Sequence, residues 1–100
     1  MGLGYGLSEN ITYDEQGRPR ETNLKKYKVL RATDMPKLYL DFIAEGEGEP
    51  GGPYGAKSLG ECPVVPAAPA VVNAICNAIG AEINSLPANP ETVLKAIRER

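Results

Sequence analysis

Apolar and polar positions alternate most cleanly over residues 37–45. Leu38, Leu40, Phe42 and Ala44 share one face; Lys37, Tyr39, Asp41, Ile43 and Glu45 share the other. A period of two predicts a β-strand, and Asp34-Met35-Pro36 breaks the chain just before it. Upstream, Ile11-Thr12-Tyr13-Asp14 has strand propensity and Glu15-Gln16-Gly17 supplies a turn, so residues 11–21 read as a hairpin. Pro19 keeps the return strand short or at an edge. Tyr27-Lys28-Val29-Leu30 is a brief apolar run of no clear type.

The period then changes. Val64, Ala68, Val71, Val72, Ile75, Cys76 and Ile79 fall on one helical face. Pro63, Pro66 and Pro69 restrict where that helix starts. Proline is tolerated in a first turn, so the regular helix is expected from Pro66 or slightly before, with strain near Pro69. Gly80 is suited to end it. Cys76 lies on the apolar stripe and reads as core. The last element is signalled by Asn89 as N-cap, Pro90 at the first helical position and Glu91 in the first turn. Val93, Leu94 and Ile97 form its stripe. Glu91 and Lys95 are spaced for an i,i+4 pair worth about 0.3–0.5 kcal/mol, and Arg98 and Arg100 suit the negative end of its dipole.

The opening, Gly2-Leu3-Gly4-Tyr5-Gly6-Leu7-Ser8, is different. Each of its glycines weakens a helix by about 1 kcal/mol relative to Ala. Such glycines commonly serve close packing against another backbone, and nothing earlier in the chain supplies that neighbour. Met1 therefore reads as an engineered or truncated start. The expected fold class is α+β: a small antiparallel sheet, made of the hairpin plus one longer strand, packed with two C-terminal helices over 66–79 and 90–99 in a single domain, 1–100.

Composition narrows the function classes. The chain has 100 residues, 11 Lys+Arg and 13 Asp+Glu, so its net charge of -2 argues against a nucleic-acid binder. His is absent, which removes Ser-His-Asp and Cys-His catalysis and the common His-rich zinc sites. Cys62 and Cys76 are too few for a four-thiolate metal site or a disulfide scaffold. No apolar run approaches the ~20 residues that span a bilayer, and no signal-peptide pattern opens the chain. A soluble protein of a reducing compartment, the cytoplasm, with no membrane partner is expected. Gly (11) and Pro (9) are abundant, there is one Phe, and Trp is absent. The core must come from small aliphatics, which each contribute less than aromatics. Such a chain is not self-sufficient, and apolar surface left exposed favours self-association.

Residues 46–55 read as a loop in which Glu45, Glu47 and Glu49 alternate with glycines, a solvated acidic stretch without calcium-loop spacing. Catalytic character is concentrated just after it, in Gly55-Ala56-Lys57-Ser58-Leu59-Gly60-Glu61. Gly55 and Gly60 let backbone approach a ligand. Lys57 can add a charge to a phosphate, and the helix N-terminus downstream offers N–H groups to an anion. Glu61 has two readings. One is a residue complementing the helix dipole. The other is a general base, its carboxyl raised by the apolar neighbours Leu59, Val64 and Val65. The stretch is not a Walker loop, because the Gly-Lys-Ser/Thr order is missing.

Residues 55–61 resemble the Gly/Ser-x-Lys-Gly/Ala-x-Gly-Glu signature of the molybdenum hydroxylases, the xanthine dehydrogenase and aldehyde oxidase family. Other segments resemble that family in the same order: Gly4 to Glu9 its Gly-x-x-Leu-Ser-Glu helix end, Tyr13-Asp14 with Gly17 its hairpin, Tyr27 with Asp34-Met35-Pro36 its Tyr…Asp-x-Pro segment, and Leu86-Pro87 with Pro90-Glu91 its entry to the final helix. Ser58 stands where the family has Gly or Ala. The resemblance implies the C-terminal segment of a molybdopterin-binding domain in a larger subunit that oxidises a heterocycle or aldehyde with water-derived oxygen. It places Glu61 as the catalytic base toward a hydroxide on the molybdenum, and Lys57, Ser58 and Gly60 beside the cofactor. No side chain of this chain would ligate the metal, which the cofactor itself holds. Iron–sulfur clusters and FAD are implied on other domains or subunits, which would be partners together with the remainder of the molybdenum-binding subunit. The chain alone is expected to be inactive. The competing reading is a non-catalytic α+β module that binds a partner through its Gly-rich N-terminal segment.

Overall fold

The computed structural model describes residues 1–43, 48 and 50–100. Ala44, Glu45, Glu47 and Glu49, which entered the strand and acidic-loop expectations, lie outside the described residues. Three helices carry the structure: α1 (Gly2–Leu7), α2 (Glu61–Ile79) and α3 (Pro90–Arg98), with single 3₁₀ turns at Ala32–Asp34 and Pro53–Gly55.

The expected antiparallel sheet is not formed among the described residues, where the fold is helical rather than α+β. The hairpin survives only as a tight loop with one antiparallel bridge, Tyr13 to Pro19. Asp14 organises it: its Oδ1 accepts from the N–H of Gln16 at 2.9 Å and of Arg18 at 2.8 Å. At the loop's mouth Glu21 Oε2 accepts from the Thr12 N–H at 2.6 Å. That bond is the main reason the Glu21 carboxyl lies below the usual range. The two ladder bonds that flank the bridge do form, from the Arg20 N–H to Thr12 O at 2.9 Å and from the Asp14 N–H to Arg18 O at 3.0 Å, and the ladder stops there because the Thr12 N–H is taken by the Glu21 side chain. Residues 37–43 carry the alternating pattern but have no strand beside them among the described residues. Alternation prepares two faces; a strand also needs a partner to take its N–H and C=O groups.

Residues 2–7 form a helix despite their glycines, because Gly2 and Gly6 are the contact with α2 and Gly4 leaves room for the Glu9 side chain. Gly2, Gly4 and Gly6 are buried, and α1 packs on α2. A Cβ added at Gly6 would lie 3.4 Å from Ala68 Cα. The close neighbour anticipated before Met1 is supplied instead by a helix sixty residues downstream. The core sits where α1, α2 and residues 87–88 meet, and its buried hydrophobics are Ala68, Val72 and Ala88. The Ala88 N–H donates to Gly6 O at 2.7 Å, so the 87–88 segment also takes a carbonyl that α1 leaves free at its end.

α2 starts at Glu61, earlier than Pro66, and runs through Pro66 and Pro69. Pro63 sits in its first turn at no cost in hydrogen bonds. Pro66 and Pro69 leave the carbonyls of Cys62 and Val65 without their i+4 donors. Both prolines, Cys62 and Val65 are exposed, so water can serve those carbonyls. With 19 residues and a mean hydropathy of 1.6, α2 meets by length and composition the requirement for crossing a membrane, which corrects the expectation of no such run. Its observed role is packing: Ala68 and Val72 are buried on it. Cys76 is half-buried rather than fully in the core. Gly80 ends α2 at φ 63, as its position foretold.

At α3, Asn89 Oδ1 accepts from the Thr92 N–H at 2.9 Å and also from the Thr92 hydroxyl. Asn89→Ala is expected to cost about 0.5–2 kcal/mol, seen as a lower urea midpoint with an unchanged denaturant slope. Lys95 pairs with Glu99 at 3.9 Å, in place of the expected pairing with Glu91. Arg100 reaches back to α2, its Nη1 donating to Ile79 O at 2.8 Å, and so serves the C-terminal carbonyls of the other helix.

The radius of gyration, 17.6 Å, exceeds the about 13 Å of a compact 100-residue domain. Leu40, Phe42, Ile43, Leu59 and Val65 are all more than two-thirds exposed. This chain buries little of its own apolar surface.

Candidate active site

The segment 55–61 joins a strained turn to the start of α2. Tyr54 sits at φ 54 and ψ 23 and Gly55 at φ 72, two consecutive left-handed residues that swing the chain from the Gly/Pro loop toward α2. Gly60 is the N-cap residue of α2, with no side chain capping the helix. A Cβ added at Gly60 would meet nothing within 4 Å, so its surface is open.

Glu61 is the first residue of α2 and is exposed. Its carboxyl lies below the usual carboxylate value. The largest cause is a hydrogen bond from its own backbone N–H, followed by the Ser58 side chain; partial desolvation opposes them and the Gly60 N–H adds a smaller lowering. This overturns the expectation that apolar neighbours raise it: Leu59 and Val65 are themselves exposed, so hydrogen bonding outweighs desolvation. A carboxyl with a lowered folded-state value stabilises the fold above its unfolded value and loses that contribution as pH falls through the folded value. The Glu61 carboxyl is therefore expected to titrate below 4.5, followed by its carbonyl carbon shift in NMR, and the first turn of α2 to loosen only in more acidic solution. Glu61→Gln should flatten this acid dependence.

Lys57 and Ser58 line an open groove of about 1220 Å³ with Leu40, Phe42, Cys62 and Pro66 among its other walls. Glu61 and Gly60 stand at the adjoining turn, outside that lining. The structure thus brings Lys57 and Ser58 together at a groove, links Ser58 to Glu61, and sets Gly60 at the helix entrance. Sequence reasoning did not anticipate Leu40 and Phe42 as the facing wall. Their alternation had placed them in a sheet.

Sequence and backbone comparisons relate the chain to known proteins. A family model described as a molybdopterin cofactor-binding domain matches residues 1–36. The xanthine dehydrogenase molybdenum-binding subunit of Escherichia coli O157:H7 is 41% identical over 92 residues, covering 91% of this chain and 12% of that protein. The aldehyde oxidoreductase of Megalodesulfovibrio gigas is 33% identical over 103 residues, covering 98% of this chain and 10% of its own length. Among solved structures, quinoline 2-oxidoreductase from Pseudomonas putida 86 superposes with a TM-score of 0.80 at 28% identity, over 99% of this chain and 13% of that one. The chain thus spans about an eighth of the length of the relatives it matches, which are named as oxidoreductases. Similarity this extensive along the chain, in sequence and in backbone, means that it belongs to the molybdenum hydroxylases, the xanthine dehydrogenase and aldehyde oxidase family, and matches a stretch of their molybdenum-binding subunit.

Proposed function

We propose that this chain is the C-terminal segment of the cofactor-binding domain of a molybdenum-binding subunit, and that it supplies the general base, Glu61, and one rim of the molybdopterin site. The observation that supports this reading best is the placement of Glu61 on an open, side-chain-uncapped turn, linked to Ser58, beside the groove that Lys57 and Ser58 line. These groups fit an anionic, phosphate-bearing cofactor. Lys57 would hold the negative charge and Ser58 and Gly60 would line the rim beside it, while the Ser58 hydroxyl and the Gly60 and Glu61 N–H groups go on holding the Glu61 carboxylate. When bound, the cofactor supplies metal-centred oxidation of a heterocycle or aldehyde carbon. The chain's own task is to accept one proton at a Glu61 carboxylate oxygen and to hold it in a site closed by the rest of the subunit. Iron–sulfur and flavin groups on other domains or subunits would carry the electrons away, in the cytoplasm.

A base and a rim do not make a site, so the 100 residues by themselves are expected to retain no cofactor and to turn over no purine or aldehyde. Mixing the purified chain with released molybdopterin cofactor, then assaying molybdenum after gel filtration, tests this. Co-production with the remainder of the subunit should restore both molybdenum and turnover. Stoichiometric retention by the chain alone would overturn the reading.

A further inference from the structure

Ser58 and Glu61 are joined across the entrance of α2. Ser58 lines the groove together with Lys57, whereas Glu61 stands outside that lining, at the first residue of the helix. The Ser58 hydroxyl donates to the Glu61 carboxylate and so bridges the two positions. The carboxylate's other donors, the N–H groups of Glu61 and Gly60, belong to the helix entrance itself and draw it back onto its own backbone. Gly60 brings no side chain to steer it, and the space where a Cβ would stand is open.

These donors differ in what they can do. A carboxylate offers about four acceptor positions on its two oxygens, so the hydroxyl and the two N–H groups leave room for an incoming proton. An amide N–H can only donate. A hydroxyl turns about its C–O bond and donates or accepts as required. Ser58 is thus the one of these partners that can serve Glu61 in both states: it donates to the carboxylate, then accepts from the carboxyl O–H. Donation to the charged form is the stronger of the two bonds.

We propose that Ser58 is a positioning residue for the general base: from the groove wall, its hydroxyl holds the Glu61 carboxyl toward the groove before and after it takes up a proton. The inference rests on the reading that Glu61 is that base, and Ser58 acts through it. Gly or Ala, which the signature resembled by residues 55–61 has at this position, carries no such hydroxyl, so the bond is a feature of this chain's own sequence.

Ser58→Ala and Ser58→Thr in the assembled subunit test the proposal. Ser58 is exposed, so neither change disturbs packing. Ser58→Ala should lower kcat by about tenfold and change KM by less than about twofold, the pattern of a misplaced group rather than of lost binding. Losing a bond made to the charged form should also move the acid limb of kcat/KM to higher pH. Thr keeps the hydroxyl and should restore both. A second readout needs no cofactor: in the 100-residue chain, the Glu61 carboxyl carbon of Ser58→Ala should titrate at higher pH than that of the parent. An unmoved acid limb, an unmoved Glu61 midpoint, or a Thr variant that behaves as Ala would overturn the proposal, because each is what a residue that merely shapes the turn would give. The underlying reading fails separately, if Glu61→Gln leaves turnover of the assembled subunit intact while Ser58→Ala still moves the Glu61 midpoint.

Discussion

Glu61→Gln, introduced into the assembled subunit, is expected to lower turnover by about 10²–10⁴-fold, the range a positioned general base contributes. Molybdenum content and thermal midpoint should remain those of the unsubstituted protein. Gln keeps the shape of Glu and the exposed position at the first turn of α2, but it cannot take a proton. A loss beyond that range would mean that Glu61 also helps generate the nucleophile. No loss would favour a non-catalytic, partner-binding module. Electrostatics adds a second readout. In this chain the carboxyl is held below the usual range by hydrogen bonds, and exposure leaves desolvation too weak to reverse it. A base that acidic is poorly matched to neutral pH. Covering by the rest of the subunit would strengthen desolvation and move the carboxyl upward. The acid limb of kcat/KM in the assembly should therefore lie at higher pH than the Glu61 midpoint in the isolated chain, and Glu61→Gln should abolish that limb. Coincidence of the two values would show that the remainder does not close over this turn.

How much of this was legible in the residues depends on whether the deciding interaction was local. The start of α3 was, because Asn89, Pro90 and Glu91 lie within one turn of the N–H groups they serve. The end of α2 was, because Gly80 alone meets its geometric demand. The stripe from Val64 to Ile79 correctly gave the buried face, with Ala68 and Val72 at its centre. The stretch 55–61 stands out in the sequence as a motif, yet the direction of the Glu61 shift does not follow from it. Local apolarity does not equal burial when Leu59 and Val65 face solvent. The sheet failed for a related reason. Alternation over 37–43 records which faces will be covered, whereas a ladder requires a second strand, and none is present among the described residues. α2 starts earlier than a first turn at Pro66 would place it, because Pro66 and Pro69 lie on an exposed face where water can replace the lost donors inside the helix.

α1 was invisible to propensity because its stability comes from a surface far away in sequence, and this makes its glycines the most sensitive structural positions in the chain. Gly2→Ala is expected to destabilise the fold. The substitution gains at most about 1 kcal/mol of helix propensity, and less at a first helical position. Against that, the new methyl would collide with Ala67 Cβ and lie 2.9 Å from Val64 O. Neither atom belongs to a flexible side chain, so one helix must shift. Overpacking of this kind costs about 1–3 kcal/mol, and it outweighs the propensity gain. Gly2→Val, with two further methyl groups and a restricted χ1, should detach α1 altogether and expose Ala68 and Val72, the buried positions of α2. Gly51→Ala is the control: its Cβ would meet nothing within 4 Å and its backbone is not left-handed, so it should stay within about 0.5 kcal/mol of the parent. Urea midpoints and amide protection at Ala88, whose N–H is held by Gly6 O, report the two effects independently. The docking of α1 bears on the site because α2 is one helix from Glu61 to Ile79. Its buried anchor lies near Ala68 and its first residue carries the carboxylate. A shift of α2 to relieve Gly2 would move Glu61 with it. In the assembled subunit, Gly2→Val should therefore depress turnover as well as stability, whereas a substitution of matched stability cost at Asn89 should depress stability alone.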